Sequence, residues 1–151
     1  MPSRLNTEKI SLLIVRLGLG VFFFFEGWDK LQWMRHPELL TTILQRWAED
    51  GGPSARWYIE SILIPGVSVF ARLVFVAEVG AGIALFLGLW TRPVAILTFV
   101  MVLNIHFAHS SLFQYGFLSK GDGLPILCGL LAVAVAGKGI PFNLSDFGNR
   151  K

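Results

Sequence analysis

Residues 67–90 read VSVFARLVFVAEVGAGIALFLGLW. The stretch carries two ionisable side chains, Arg72 and Glu78, and is otherwise almost wholly apolar. At about 1.5 Å per residue a helix of this length crosses the ~30 Å hydrocarbon core of a bilayer. Pro65 and Gly66 precede it, and Thr91-Arg92-Pro93 closes it. A helix that is apolar all round has no wet face to offer, which argues against a soluble bundle.

Three further runs flank this one. Residues 10–28, ISLLIVRLGLGVFFFFEGW, form a first span. It ends in four phenylalanines, Glu26, Gly27 and Trp28 rather than a small-residue cleavage site, so it reads as an uncleaved helix and not a signal peptide. A third span runs from Pro93 to Ser110, opened by a proline at its start. A fourth runs from Gly123 to Gly137. The last two are marginal by apolar length alone. Composition agrees: of 151 residues 54% are apolar and 15% charged, with a mean hydropathy of +0.61. Soluble domains carry about 25% charged residues. The fold class expected is therefore all-α, an integral membrane four-helix up-down bundle, in a single domain covering residues 1–151.

The connection from Asp29 to Gly66 has structure of its own. His36-Pro37-Glu38 starts a helix over about 37–50, with Leu39, Leu40, Ile43, Leu44 and Trp47 on one stripe and Gly51-Gly52-Pro53 as its stop. A second short helix over about 54–63 presents Trp57, Tyr58, Ile62 and Leu63. Both are expected at the membrane interface or over the bundle end. Small residues recur every four positions at Gly80, Ala84 and Gly88, and again at Ala132 and Ala136, rows that let helix backbones approach.

The net charge of +3 comes from cations that mostly flank the apolar runs, so membrane headgroups rather than nucleic acid are the expected partners. With the N-terminus inside, Arg4, Lys9, Arg92, Lys138, Arg150 and Lys151 fall on the cytoplasmic side. Lys30, Arg35, Arg46, Arg56 and Lys120 fall on the other, four of them in the long connection. This places both termini in the cytoplasm.

Ionisable side chains inside a span cost at least ~2.5 kcal/mol on insertion scales and are expected to face the bundle interior or water. Counted from the cytoplasmic ends of their spans, Arg16 lies about 9 Å, Glu78 about 18 Å and His106 about 20 Å deep. These three form the candidate buried polar cluster, with Glu78 expected to meet Arg16 or His106. A buried ion pair that fixes helix register is the structural alternative to a functional site. Arg16, Gly20, Phe23, Gly27 and Lys30 share one helix face, and Phe99, Val102, His106, His109 and Phe113 another. A second polar group gathers at the opposite end: Glu26, Asp29, Lys30, His109 and Asp122. Wet span ends explain such a group without a function.

His106 and His109, three apart, are two ligands on one helix and do not complete a metal shell. No Glu-x-x-His pair suggests a di-iron bundle. The single cysteine, Cys128, cannot run a dithiol cycle alone. No phosphate loop, nucleotide-binding glycine motif or nucleophilic triad is present.

Arg16-Leu-Gly-Leu-Gly20, followed by Phe24-Phe25-Glu26-Gly27-Trp28-Asp29-Lys30-Leu31, resembles the first span of the DoxX family. Glu78-Val-Gly80-Ala-Gly82, followed by Gly88-Leu-Trp-Thr91-Arg92, resembles its second span and turn. Arg16, Gly27, Lys30, Glu78, Gly80, Gly88 and Arg92 are the positions that match the family pattern. The resemblance implies a small bacterial or archaeal inner-membrane protein tied to membrane redox systems, among them a thiosulfate:quinone oxidoreductase. It fixes no catalytic residue. The function expected is a quinone-linked redox subunit that binds no cofactor of its own, with a quinone from the membrane as its ligand. The alternative is a non-catalytic subunit packed against a larger membrane complex or against copies of itself.

Overall fold

The computed structural model describes residues 7–144. Arg4, Arg150 and Lys151, on which the charge count leans, lie outside the described residues. Among these described residues seven α-helices follow in order: α1 (Thr7–Asp29), α2 (Glu38–Asp50), α3 (Pro53–Tyr58), α4 (Val67–Leu87), α5 (Thr91–Ala108), α6 (Tyr115–Ser119) and α7 (Leu124–Ala136). A 3-10 turn, Leu31–Met34, follows α1, and a π-helical turn, Ile59–Leu63, continues α3. Among the described residues there is no strand. Helices α1, α4 and α5 are long and apolar enough to cross a membrane. The fourth apolar helix, α7, has 13 residues. At about 1.5 Å per residue that is roughly 20 Å, short of a full crossing.

Helix α1 packs most broadly on α4, and α5 on α7, while α1–α7 and α4–α5 contacts close the set. The first core lies among these four, around Leu19, Phe23, Leu85, Val102, Leu130 and Val133. A second core joins α2, the α3 segment and the beginning of α4 through Leu40, Leu44, Ala48, Ile59, Leu63 and Ala71. The buried stripe of α2 is therefore Leu40, Leu44 and Ala48, and Leu39 falls on its exposed edge.

Glycines set how closely α1 and α4 approach. A Cβ on Gly82 would stand 2.5 Å from the Phe24 backbone nitrogen, and one on Gly20 would stand 2.8 Å from that of Phe86. A Cβ on Gly27 would meet the Val79 nitrogen at 2.8 Å. The expected row of Gly80, Ala84 and Gly88 is not the one used: Gly80 has open space beside it, and Ala132 of the second row is exposed.

These contacts also fix the register. Gly20 lies opposite Gly82 and Phe86, and Gly27 opposite Val79, so the two helices are antiparallel and displaced along each other. The end of α1 reaches only the middle of α4. Beyond it, the first half of α4 is flanked by the 3-10 turn and α2.

Helix α4 stops three residues before the expected Trp90. The Gly88 N–H bonds the Leu85 carbonyl at 3.3 Å and the Leu89 N–H bonds that of Ala84 at 2.8 Å, with Gly88 left-handed at φ 71°. This is a Schellman closure, which glycine makes without a Cβ penalty. The chain turns through Trp90 and enters α5 at Thr91.

Candidate functional site

The three members of the expected buried cluster are far apart. Glu78 is buried on the face of α4 that meets α1. Its partner is Lys30, whose Nζ approaches Oε2 at 2.7 Å. The same ammonium lies 3.2 Å from Glu26 Oε2 and donates to the Glu26 carbonyl at 3.0 Å. The ammonium hydrogen-bonds both of these Glu26 oxygens and meets Glu78 Oε2 as an ion pair. The Glu78 side chain is 5% exposed and that of Glu26 48%, so the ladder runs from the helix interface out to the surface. The displacement of α1 along α4 is the cause: it brings Lys30, not Arg16, to the level of Glu78. At about 1.5 Å per residue, Arg16 lies roughly 16 Å further along α1 than Gly27.

Arg16 is 1% exposed and sits beyond the last turn of α4. Its guanidinium is wrapped by the segment after α7. Nη1 donates to the Pro141 carbonyl at 3.2 Å and to Asn143 Oδ1, and Nη2 donates to the Phe142 carbonyl at 3.1 Å. Thr91 Oγ1 donates to the same Asn143 oxygen at 3.1 Å. Asn143 Nδ2 closes the loop on the Ile140 carbonyl at 2.8 Å.

His106 is in a third place. Its Nδ1 lies 2.8 Å from Ser111 Oγ, its Nε2 lies 3.1 Å from the Asp122 carbonyl oxygen, and its ring sits edge-on to Phe117. His106 thus fastens the α5–α7 connection. The opposite-end group divides as well. Glu26 and Lys30 pair, whereas His109 packs against the Trp47 ring and Asp122 offers its backbone to His106. Asp29 is exposed. The helix face does not extend to Phe113, because α5 ends at Ala108 and the chain turns through Ser110 and Phe113, both at positive φ. Among the described residues no three His, Cys, Asp or Glu side chains gather as a metal-ligand set.

Sequence reasoning missed one feature. Between α4 and α5, on the side away from Glu78, a crevice of about 600 Å³ opens outward. Leu73, Val76, Leu97 and Val100 form its apolar walls, Tyr58 and Asn104 lie at one end, and Gly80 leaves room toward the other. Asn104 Nδ2 donates to Tyr58 Oη at 2.8 Å, so the phenol keeps its own hydrogen to donate. The hydroxyl of Thr98, also in the lining, is committed to the Val94 carbonyl at 2.8 Å. Among the described residues, no carboxylate or cation lines the crevice. Asn104 was visible as a lone amide in an apolar run, and Asn143 as an amide between Phe142 and Leu144. Neither announces its partner.

Five of the family-pattern residues meet in two places, Gly27, Lys30 and Glu78 in one and Arg16 and Gly88 in the other. Gly27 and Lys30 face Glu78, Gly88 borders Arg16, and Gly80 opens on the crevice. Arg92 is exposed, with its stem beside Gly137. A protein-family model, DoxX, matches residues 11–111, which takes in α1 through α5. Comparison with curated proteins and with solved structures gives no match.

Proposed function

The chain belongs to the DoxX family, and from that we propose that it is a membrane subunit of a quinone-linked redox system, holding a quinone between α4 and α5. The observation that carries this reading is the crevice: apolar walls, an outward opening, no charge, and one phenol hydrogen free at its end. Those are the requirements of a neutral ring with carbonyl oxygens and a long hydrocarbon tail. Tyr58 would donate to one carbonyl and Asn104 would orient Tyr58. Gly80 leaves room for the ring or the tail. A quinone held there supplies the electron-carrying chemistry, and the side chains of this chain only bind and orient it. The electron donor sits on a partner protein.

In this reading α1, α4, α5 and α7 make a four-helix up-down bundle in a bacterial or archaeal inner membrane, with both termini on the cytoplasmic side. The α2–α3 segment lies at the far interface, where Trp57 is exposed. A second reading, a non-catalytic subunit packed on a larger complex or on copies of itself, is favoured by the filled interior: Leu85, Leu130 and Val133 are fully buried where a ligand would otherwise enter among the four helices.

The experiment is photolabelling of the chain in lipid nanodiscs with a photoreactive quinone. The expected result is saturable labelling of α4 and α5, competed by unmodified quinone and weakened by Gly80→Leu and Tyr58→Phe. Labelling that does not saturate, or that ignores both substitutions, removes the quinone reading and leaves the accessory one.

A further inference from the structure

Arg16 is a buried cation surrounded by neutral acceptors. Among the described residues no carboxylate lies within ion-pair distance of it, and its Nε is buried without a hydrogen-bond partner. Burying a guanidinium is costly unless an anion or a full set of hydrogen bonds compensates it. Among the described residues, the hydrogen bonds that compensate it come from one non-helical stretch, Pro141 to Asn143.

Within that stretch a single oxygen, Asn143 Oδ1, receives both Arg16 Nη1 and Thr91 Oγ1. Thr91 is also the first residue of the 18-residue α5, whose opening turn has no side-chain cap. A helix start carries partial positive charge and free N–H groups. A guanidinium and a hydroxyl donor therefore converge, beside the start of α5, on one amide oxygen that bears no net charge. Gly88 keeps the position bare. A Cβ there would stand 2.8 Å from Arg16 Nη1, from Asn143 Oδ1 and from the Phe142 carbonyl oxygen, and φ is 71°. Arg16, Gly88 and Thr91 lie inside the stretch that matches the family, residues 11–111, whereas the segment that fills the pocket lies outside it.

We propose that Arg16, Thr91 and the start of α5 form an oxyanion site, which residues 140–143 fill in cis with the Asn143 amide oxygen in the place of an anionic oxygen. The ligand is a phosphate-type group, free or carried on a lipid headgroup, and the segment competes with it. Displacing the segment exchanges neutral acceptors for a charged one and gives the unpartnered Nε an acceptor.

The test uses the full chain. Asn143→Ala empties the position and Asn143→Asp fills it with charge. In neutral detergent with chloride as the only anion, N143A is expected to melt roughly 4 °C below the parent, the scale of about 1–2 kcal/mol in a chain of this size. Inorganic phosphate at matched ionic strength restores it if the ligand is a free oxyanion. If the ligand is a headgroup, phosphatidylglycerol nanodiscs restore it and phosphatidylcholine nanodiscs do not. N143D is expected to melt at or above the parent and to respond to neither. The proposal is overturned if N143A ignores both phosphate and phosphatidylglycerol, or if N143D melts below the parent. Should N143A fail to fold, N143D decides alone: a melting point at or above the parent supports the site, and a lower one removes it.

Discussion

Lys30 Nζ lies 2.7 Å from Glu78 Oε2, joining the residue just past α1 to the middle of α4. The pair works as a register lock. Sliding α1 along α4 by one turn would separate the two charges and bring residues with side chains into the close crossings now held by Gly20 and Gly82. A charge left alone in a helix interface is the most expensive way to break such a pair.

Lys30→Met is therefore expected to destabilise the chain by ~3 kcal/mol or more, because Glu78 keeps its burial and loses its partner. The double variant with Glu78→Gln should recover most of that loss. Glu26→Gln should cost no more than ~1 kcal/mol, since Glu26 is half exposed. Thermal melts of the four proteins in one detergent check the series. Equal losses for Lys30→Met and Glu26→Gln would show that the buried member is not what matters.

Gly82→Ala is expected to force α1 and α4 apart, because its Cβ would overlap the Phe24 backbone, which cannot rotate away. Overpacking of this kind costs roughly 1–3 kcal/mol. Gly80→Ala, two residues along the same helix with open space beside it, should melt within about 0.5 kcal/mol of the parent. The comparison holds helix propensity constant, so the difference between the two reports the helix contact alone.

Helix identity was legible in the sequence, and helix register was not. Length and apolarity mark α1 and α4, a proline near its start marks α5, and Gly51-Gly52-Pro53 marks the end of α2. The pairing of Glu78 was misread because depths were counted from span ends, as though all spans began in one plane. The displacement of α1 follows from where Gly20, Gly27 and Gly82 meet. Several small residues in each helix could have formed that contact, and Gly80, Ala84 and Gly88 looked as good as the set that does. The apolar run predicts a fourth span to 137, but Gly137 stands at φ 51° and the chain leaves the helix there to carry Asn143 back to Arg16. A lone asparagine after a proline carries no local sign of a partner 127 residues away.

Leu44→Ala is expected to cost ~2–5 kcal/mol, the range for emptying a buried leucine site, since Leu44 is 2% exposed and sits in the core joining α2 to Ala71 of α4. Leu39→Ala, one position from the buried Leu40 but 40% exposed, should cost far less. Limited proteolysis should find α2 cut sooner in the Leu44 variant with α4 and α5 still protected. Simultaneous loss of the whole fold would mean that the two cores are one cooperative unit.

His106 is expected to act as a fastener for the α5–α7 connection and not as a metal ligand. The Asp122 carbonyl can only accept, so Nε2 carries the hydrogen, and a neutral Nδ1 is an acceptor facing Ser111 Oγ, whose one hydrogen is shared between Nδ1 at 2.8 Å and the His106 carbonyl at 3.3 Å. Both ring nitrogens are then engaged, and neither is open to an ion. His106→Phe keeps the packing against Phe117 and removes both hydrogen bonds, at a cost near ~1 kcal/mol for each net bond. Hydrogen exchange should rise over residues 110–123 and stay unchanged in α1 and α4. Adding zinc or cobalt to the parent should leave its melting point where it was, and the metal content of the parent and the His106 variant should be equal. A metal bound in stoichiometric amount by the parent and lost from His106→Phe would turn this histidine from a fastener into a ligand.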